Sequence, residues 1–169
     1  MSWTARRIVK ELADAERRRR IAEAFFKHAD MQSKAMAVVQ LARSLHFRDE
    51  TIRKMPAEKK AELLASRTAL PEFEQTLEAA LMHYHTHEQN EMLGAFLDVW
   101  GIPHVNGSIE VDDYTPPTAE QVRDAVQQLR DRFDARDVAI YLASLGLLMG
   151  EPWDSAAWPV VDEVLSPGS

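Results

Sequence analysis

The fold is decided by residues 71–100, which read PEFEQTLEAALMHYHTHEQNEMLGAFLDVW. At about 100° per residue, the apolar side chains of this stretch gather on one face, which predicts a long amphipathic helix. They are Phe73, Leu77, Ala80, Leu81, Tyr84, Ala95 and Val99. Glu88 and Glu91 fall within the same face. Because a buried carboxylate is costly unless it is paired, protonated or bound to a cation, we expect both glutamates to have a partner.

The histidines close to Glu88 and Glu91 in the sequence could bind a divalent metal together with these carboxylates. His83 and His87 are one helical turn apart and Glu91 is one turn further, so the three side chains can point at a common cation. His28, from a neighbouring helix, would complete a mononuclear site, with Glu88 as an outer-shell acceptor or base. The favoured interpretation is different: a buried hydrogen-bonded cluster of Glu88, Glu91 and His28, or a band that faces a partner subunit or a polar cavity.

No established catalytic motif is complete in this sequence. Residues 87–91 read HEQNE, so the second histidine of the His-Glu-x-x-His zinc protease motif is absent. No Glu-x-x-His occurs for a carboxylate-bridged di-metal bundle. There is no cysteine, no nucleophile elbow and no glycine-rich phosphate loop. We expect His85 to be exposed, because it points away from the apolar stripe.

Composition places the chain in a broad class. Its 169 residues are 46% hydrophobic and contain no cysteine, so a core can form without disulfides. The net charge of −7 argues against a general nucleic-acid binder, because phosphate contacts need a positive field. The N-terminus lacks the apolar core of a signal peptide, and no apolar run approaches the roughly 18 residues of a membrane span. We therefore expect a cytoplasmic protein without nucleic-acid or membrane partners.

Helical patterns cover most of the chain. Residues 21–46 carry a core stripe at helical spacing, which predicts one core helix, and whether residues 1–46 form two helices or one bent helix is left open. Gly101 is a natural end for the helix before it. Thr118 and Gln121 resemble a capping box, and the helix after it has an apolar face of Val122, Ala125, Val126, Leu129 and Phe133. Residues 138–149 are apolar all round, which predicts a buried helix. The sequence predicts an all-α compact bundle of about five to seven helices. We expect one domain, residues 1–169, with a division into 1–70 and 71–169 as the alternative.

Residues 101–117 form the one long stretch without helical periodicity. Asn106-Gly107 is typical of a tight turn, so a small hairpin can form here. A connection of this length is usually a lid, a binding loop or an oligomer contact. His104, Asn106 and Tyr114 are the candidate lid residues.

The function expected from these patterns is a non-enzymatic interaction or scaffold module, with a homo-oligomer or another protein as partner. The alternative is a protein or enzyme that binds a small molecule or a metal. Its pocket would lie between the helices of residues 72–100 and 21–46, under the loop of residues 101–117.

Overall fold

The computed structural model describes residues 2–109, 115 and 117–166. Within them, ten α-helices and a single pair of two-residue strands confirm the all-α class. The predicted count of five to seven helices is wrong, because short helices divide segments that were expected to be continuous. The chain packs into two compact units. We call Thr4–Tyr84 the N-terminal unit, and His85–Ser169 together with Met1–Trp3 the C-terminal unit. The boundary falls inside residues 71–100 and not in front of them, and a single domain stays a prediction.

The N-terminal unit is a set of helices around one core. Its elements are α1 (Ala5–Arg7), a π-helix that continues it (Ile8–Leu12), α2 (Ala15–His28), α3 (Met31–Leu45), α4 (Asp49–Arg53), α5 (Ala57–Ala65), a 3₁₀ turn (Pro71–Phe73) and α6 (Glu74–His83). Helix α2 packs against both α5 and α6. The buried core includes Ile21, Phe25, Leu41, Ile52, Leu64, Phe73 and Leu77.

Two aspartates break the first 46 residues into separate helices. Asp14 accepts a hydrogen bond from the Arg17 backbone amide at 2.8 Å, and Asp30 accepts one from the Ser33 amide at 2.7 Å. The Ser33 amide also lowers the pKa of Asp30. Such caps satisfy amides that the first turn of a helix leaves unpaired, so each aspartate starts a new helix. The predicted single helix over residues 21–46 is therefore wrong, because α2 ends before Asp30 and α3 begins after it.

The C-terminal unit carries α7 (Asn90–Trp100), β1 (His104–Val105), β2 (Ser108–Ile109), α8 (Ala119–Arg132), α9 (Ala135–Met149) and α10 (Trp153–Leu165). Helix α9 packs along α10, and α7 packs on α8. Residues 138–144 are all buried, as their apolar sequence predicts, whereas Leu148 and Met149 are exposed. An aromatic cluster fills the core with ring centroids 4.9–5.8 Å apart. Its members are Phe96, Trp100, Tyr141 and Trp153.

Two local signals in this unit act as the sequence predicts. Thr118 and Gln121 form a reciprocal capping box at the start of α8. Strands β1 and β2 pair antiparallel across Asn106-Gly107, which confirms the small hairpin. Both turn residues have positive φ, 50° and 83°, and this conformation favours Asn followed by Gly.

A π-helix, Tyr84–Glu88, interrupts the stretch that was expected to form one long helix. Gln89 then leaves helical backbone, with φ −123° and ψ 28°. Because a π-turn takes up one more residue than an α-turn, the residues after it lose the phase of those before it. The apolar face predicted for residues 71–100 therefore does not continue beyond Tyr84. Glu88 and Glu91 are exposed, where the sequence predicted burial, and His85 is buried, where it predicted exposure.

Candidate functional site

The four residues predicted to bind a metal are divided between the two units. His28 and His83 lie in the N-terminal unit with ring centroids 6.4 Å apart. His87 and Glu91 lie in the C-terminal unit, and both are exposed. Across residues 2–109, 115 and 117–166, no group of three or more His, Asp or Glu side chains is arranged to hold a metal ion. The metal site stays a prediction.

The C-terminal unit contains a buried polar pair that the sequence pattern did not predict. His85 Nε2 lies 3.0 Å from Ser144 Oγ, and Ser144 Oγ in turn donates to the Ile140 carbonyl at 2.8 Å. Since a serine hydroxyl has one proton and that proton is used on Ile140, His85 Nε2 must be the donor to Ser144. Burial lowers the pKa of His85 to about 4, so the ring is neutral at pH 7.

The His85–Ser144 pair is not set up for nucleophilic catalysis. An activating base must accept the serine proton, and here the hydroxyl is turned to a backbone carbonyl of its own helix. Tyr141 packs edge-on to His85 with ring centroids 5.3 Å apart, and burial raises the pKa of Tyr141. The three side chains are part of the buried core of the C-terminal unit. The one sequence signal for this arrangement was Ser144 itself, a hydroxyl within the apolar residues 138–149.

A polar cleft of about 310 Å³ lies among α7, the hairpin and the end of α8. Its charged lining comes from Glu91, Asp98 and Arg132, and the candidate lid residues His104 and Asn106 also line it. Glu91 reaches Arg132 at 3.8 Å across well exposed side chains, so this ion pair adds little stability. Tyr114, the third candidate lid residue, lies outside the described residues.

Both ring nitrogens of His104 are engaged. Nε2 lies 2.7 Å from Asp98 Oδ1, and Nδ1 accepts the Gly107 backbone amide at 3.1 Å. The neutral ring therefore donates to Asp98 and accepts from Gly107, which ties the hairpin to α7. A Cβ on Gly94 would lie 3.1 Å from the His104 ring, so a glycine at this position lets the ring approach the helix. In this arrangement His104 holds the hairpin against α7 through hydrogen bonds to Gly107 and Asp98.

A groove of about 500 Å³ with a mainly apolar lining lies between α8 and α10 in the C-terminal unit. We call it the α8/α10 groove. Val122 and Val160 form its buried floor, and Val126 and Ala156 are half-buried beside them. The other lining residues are Ala119, Arg123, Gln127, Arg130, Pro152, Ser155 and Pro159. The sequence pattern showed Val122 and Val126 as one apolar face but did not show that part of this face stays uncovered.

Arginine is the one charged residue type in the lining of the α8/α10 groove, among the described residues. Arg130 forms an ion pair with Glu163 of α10. Arg123 makes no ion pair or side-chain hydrogen bond with any described residue, and it is exposed. The groove thus combines an apolar floor with a guanidinium that is open to a ligand.

Comparison with known proteins gives no relative: no family model, no curated protein and no solved structure matches the chain. Among the described residues, no helix is both long and apolar enough to cross a bilayer.

Proposed function

We propose that this protein is a non-enzymatic interaction module that docks a partner protein in the α8/α10 groove. The observation that carries the proposal is the apolar lining of this groove on a unit that already buries a full core. Removing apolar surface from water is favourable, and contiguous apolar surface on a folded protein commonly marks a binding site. A partner gains this free energy where it covers the apolar lining that is still accessible, which is Val126, Ala156, Pro152 and Pro159.

The polar groups of the C-terminal unit support a role without catalysis. The Ser144 hydroxyl donates its proton to a backbone carbonyl, so it is not paired with a base. His104 has both nitrogens in hydrogen bonds that hold the hairpin, and a general base needs one of them free to accept a substrate proton. These groups serve packing and loop position.

The partner is either a second copy of the chain or a different protein. Both were expected from the sequence, and a cytoplasmic location belongs to the same proposal. A dimer of this chain would place two α8/α10 grooves against each other, as two-fold symmetry requires. A different protein would supply a segment that fits one groove.

Site-specific photo-crosslinking in the cells that make the protein tests the proposal. The photoreactive residue p-benzoylphenylalanine replaces Val126 in the groove or, as the matched control, Gln128, which is exposed on the same helix outside the groove. We expect one crosslinked protein from position 126 and none from position 128. Crosslinking of equal yield at both positions, or none at position 126, would contradict a docking role for the groove.

A second candidate function is the binding of a small polar molecule in the cleft of about 310 Å³. Its support is the convergence of Glu91, Asp98, Asn106 and Arg132 around one open space. A divalent metal belongs to the same small-ligand alternative, and of its four predicted ligands only Glu91 lines this cleft. Elemental analysis of protein purified without an affinity tag, repeated on His87→Ala, checks the metal. Bound metal that is lost in the variant would favour this candidate over the interaction module.

A further inference from the structure

We propose that the occupant of the α8/α10 groove is an amphipathic α-helix of a different protein, about three turns long, with carboxylates beside its apolar stripe. The inference rests on the proposed function, because it names the class of partner for the same surface. It follows from the spacing of the lining residues and from their charge.

The lining residues follow helical spacing on both sides of the groove. On α8 they are residues 119, 122, 123, 126, 127 and 130, and on the α10 side they are residues 152, 155, 156, 159 and 160. Steps of three and four residues are those with which a helix presents one face to another helix. Two neighbouring helices with such faces form a groove in which a third helix can bind.

The length of the groove sets the length of the occupant. The α8 lining extends from Ala119 to Arg130, which are separated by 11 helical steps of about 1.5 Å each, or about 16 Å in all. A helix laid along this distance presents about three turns. Apolar residues at its own three- and four-residue steps would then cover the accessible apolar lining at Val126, Ala156 and Pro159.

The charge of the lining selects between a foreign helix and a second copy. A guanidinium binds a carboxylate through two parallel hydrogen bonds, and Arg123 has no such partner among the described residues. A second copy docked by the same groove would bring its own Arg123 against this surface, whereas its Arg130 is already paired with Glu163. Like charges at an interface are unfavourable, so a helix that carries carboxylates fits better.

Two model peptides of about 18 residues test the inference on the full chain. Both carry the same leucine stripe at three- and four-residue steps, and the flanking positions are glutamate in one and lysine in the other. Fluorescence anisotropy of the labelled peptides measures binding. We expect the glutamate peptide to bind at least about tenfold more tightly. Because the chain as a whole carries a charge of −7, such a preference can come only from local contacts.

Three variants assign the binding to the groove. Arg123→Glu is expected to reverse the preference in favour of the lysine peptide, and Val126→Asp is expected to abolish binding of both. The matched control is Arg53→Glu, at an exposed arginine of α4 in the N-terminal unit, which is expected to leave both affinities unchanged. Far-ultraviolet circular dichroism of each variant shows that it is folded.

The inference is overturned if neither peptide binds, if both bind equally, or if Arg123→Glu leaves the preference as it was. It is also overturned if light scattering shows a dimer that Val126→Asp dissociates. The same holds if decanoate, a fatty acid used as a small-molecule probe, binds the groove and both peptides fail to bind. A protein crosslinked from position 126 through a non-helical or basic segment would leave the proposed function standing and end this inference alone.

Discussion

Burial of a titratable ring makes His85 a determinant of stability towards acid. Its pKa is about 4 in the folded chain against an ordinary value of 6.5, because burial disfavours the charged form. Between these values the unfolded chain binds a proton that the folded chain does not. The free energy of unfolding therefore rises with pH through this window and falls as the pH is lowered from 6.5 to 4. The loss amounts to about 3 kcal/mol, at 1.4 kcal/mol per pH unit.

We expect His85→Gln to remove this dependence on pH. Urea denaturation at a series of pH values between 4 and 6.5 measures it, and the free energy of unfolding of the variant should change less across the window than that of the wild type. His87→Gln is the matched control, because His87 is exposed two residues away and should keep the wild-type slope. An unchanged slope in His85→Gln would show that another group causes the acid sensitivity.

At the scale of elements, the contact between α9 and α10 depends on Gly146. A Cβ at this position would lie 3.0 Å from the Cα of Asp154, which is backbone and can give way only if the helix moves. Alanine normally stabilises a helix interior relative to glycine by about 1 kcal/mol. We expect Gly146→Ala to destabilise the protein instead, by about 1–3 kcal/mol, because the two helices must separate. Thermal or urea unfolding measures whether the free energy of unfolding falls or rises in the variant. A rise would disprove the close contact between α9 and α10.

The elements that the sequence predicted correctly are those with local causes. The capping box of Thr118, the Asn106-Gly107 turn and the end of α7 at Gly101 each depend on neighbouring residues, and such signals can be read in sequence. The π-helix Tyr84–Glu88 has no such local signal. When a periodicity of 3.6 residues is continued through the π-helix, it places Glu88 on the buried face, whereas Glu88 is exposed. The predicted burial of Glu88 and Glu91 was wrong for this geometric reason.

At the scale of the whole molecule, Trp3 and Trp158 are 155 residues apart in the sequence and meet in the C-terminal unit. Trp3 is 2% exposed and stacks on Trp158 with ring centroids 4.9 Å apart. We expect Trp3→Ala to lower the free energy of unfolding by about 3 kcal/mol, as loss of a buried aromatic ring usually does. Hydrogen exchange should also become faster in α10. Ser2→Ala, at an exposed neighbour, is the control that should match the wild type in both measurements.

The α8/α10 groove could not be predicted, because uncovered surface is a property of the assembled chain. Val122 and Val126 look alike in the sequence, and yet Val122 is buried in the groove floor while Val126 is half-exposed. This difference in burial between Val122 and Val126 depends on where α10 lies against α8. The polar cleft shows the converse, because the loop pattern of residues 101–117 indicates His104 and Asn106, and both line one open space together with Glu91.

The stack of Trp3 on Trp158 also has a consequence for synthesis on the ribosome. A chain grows at about 5–20 residues per second, so the second ring is made roughly ten to thirty seconds after the first. During that interval Trp3 is a large apolar side chain without its final neighbour, while the residues of α1 to α6 are already emerging. The nascent chain must therefore keep Trp3 available for packing until α10 has been synthesised.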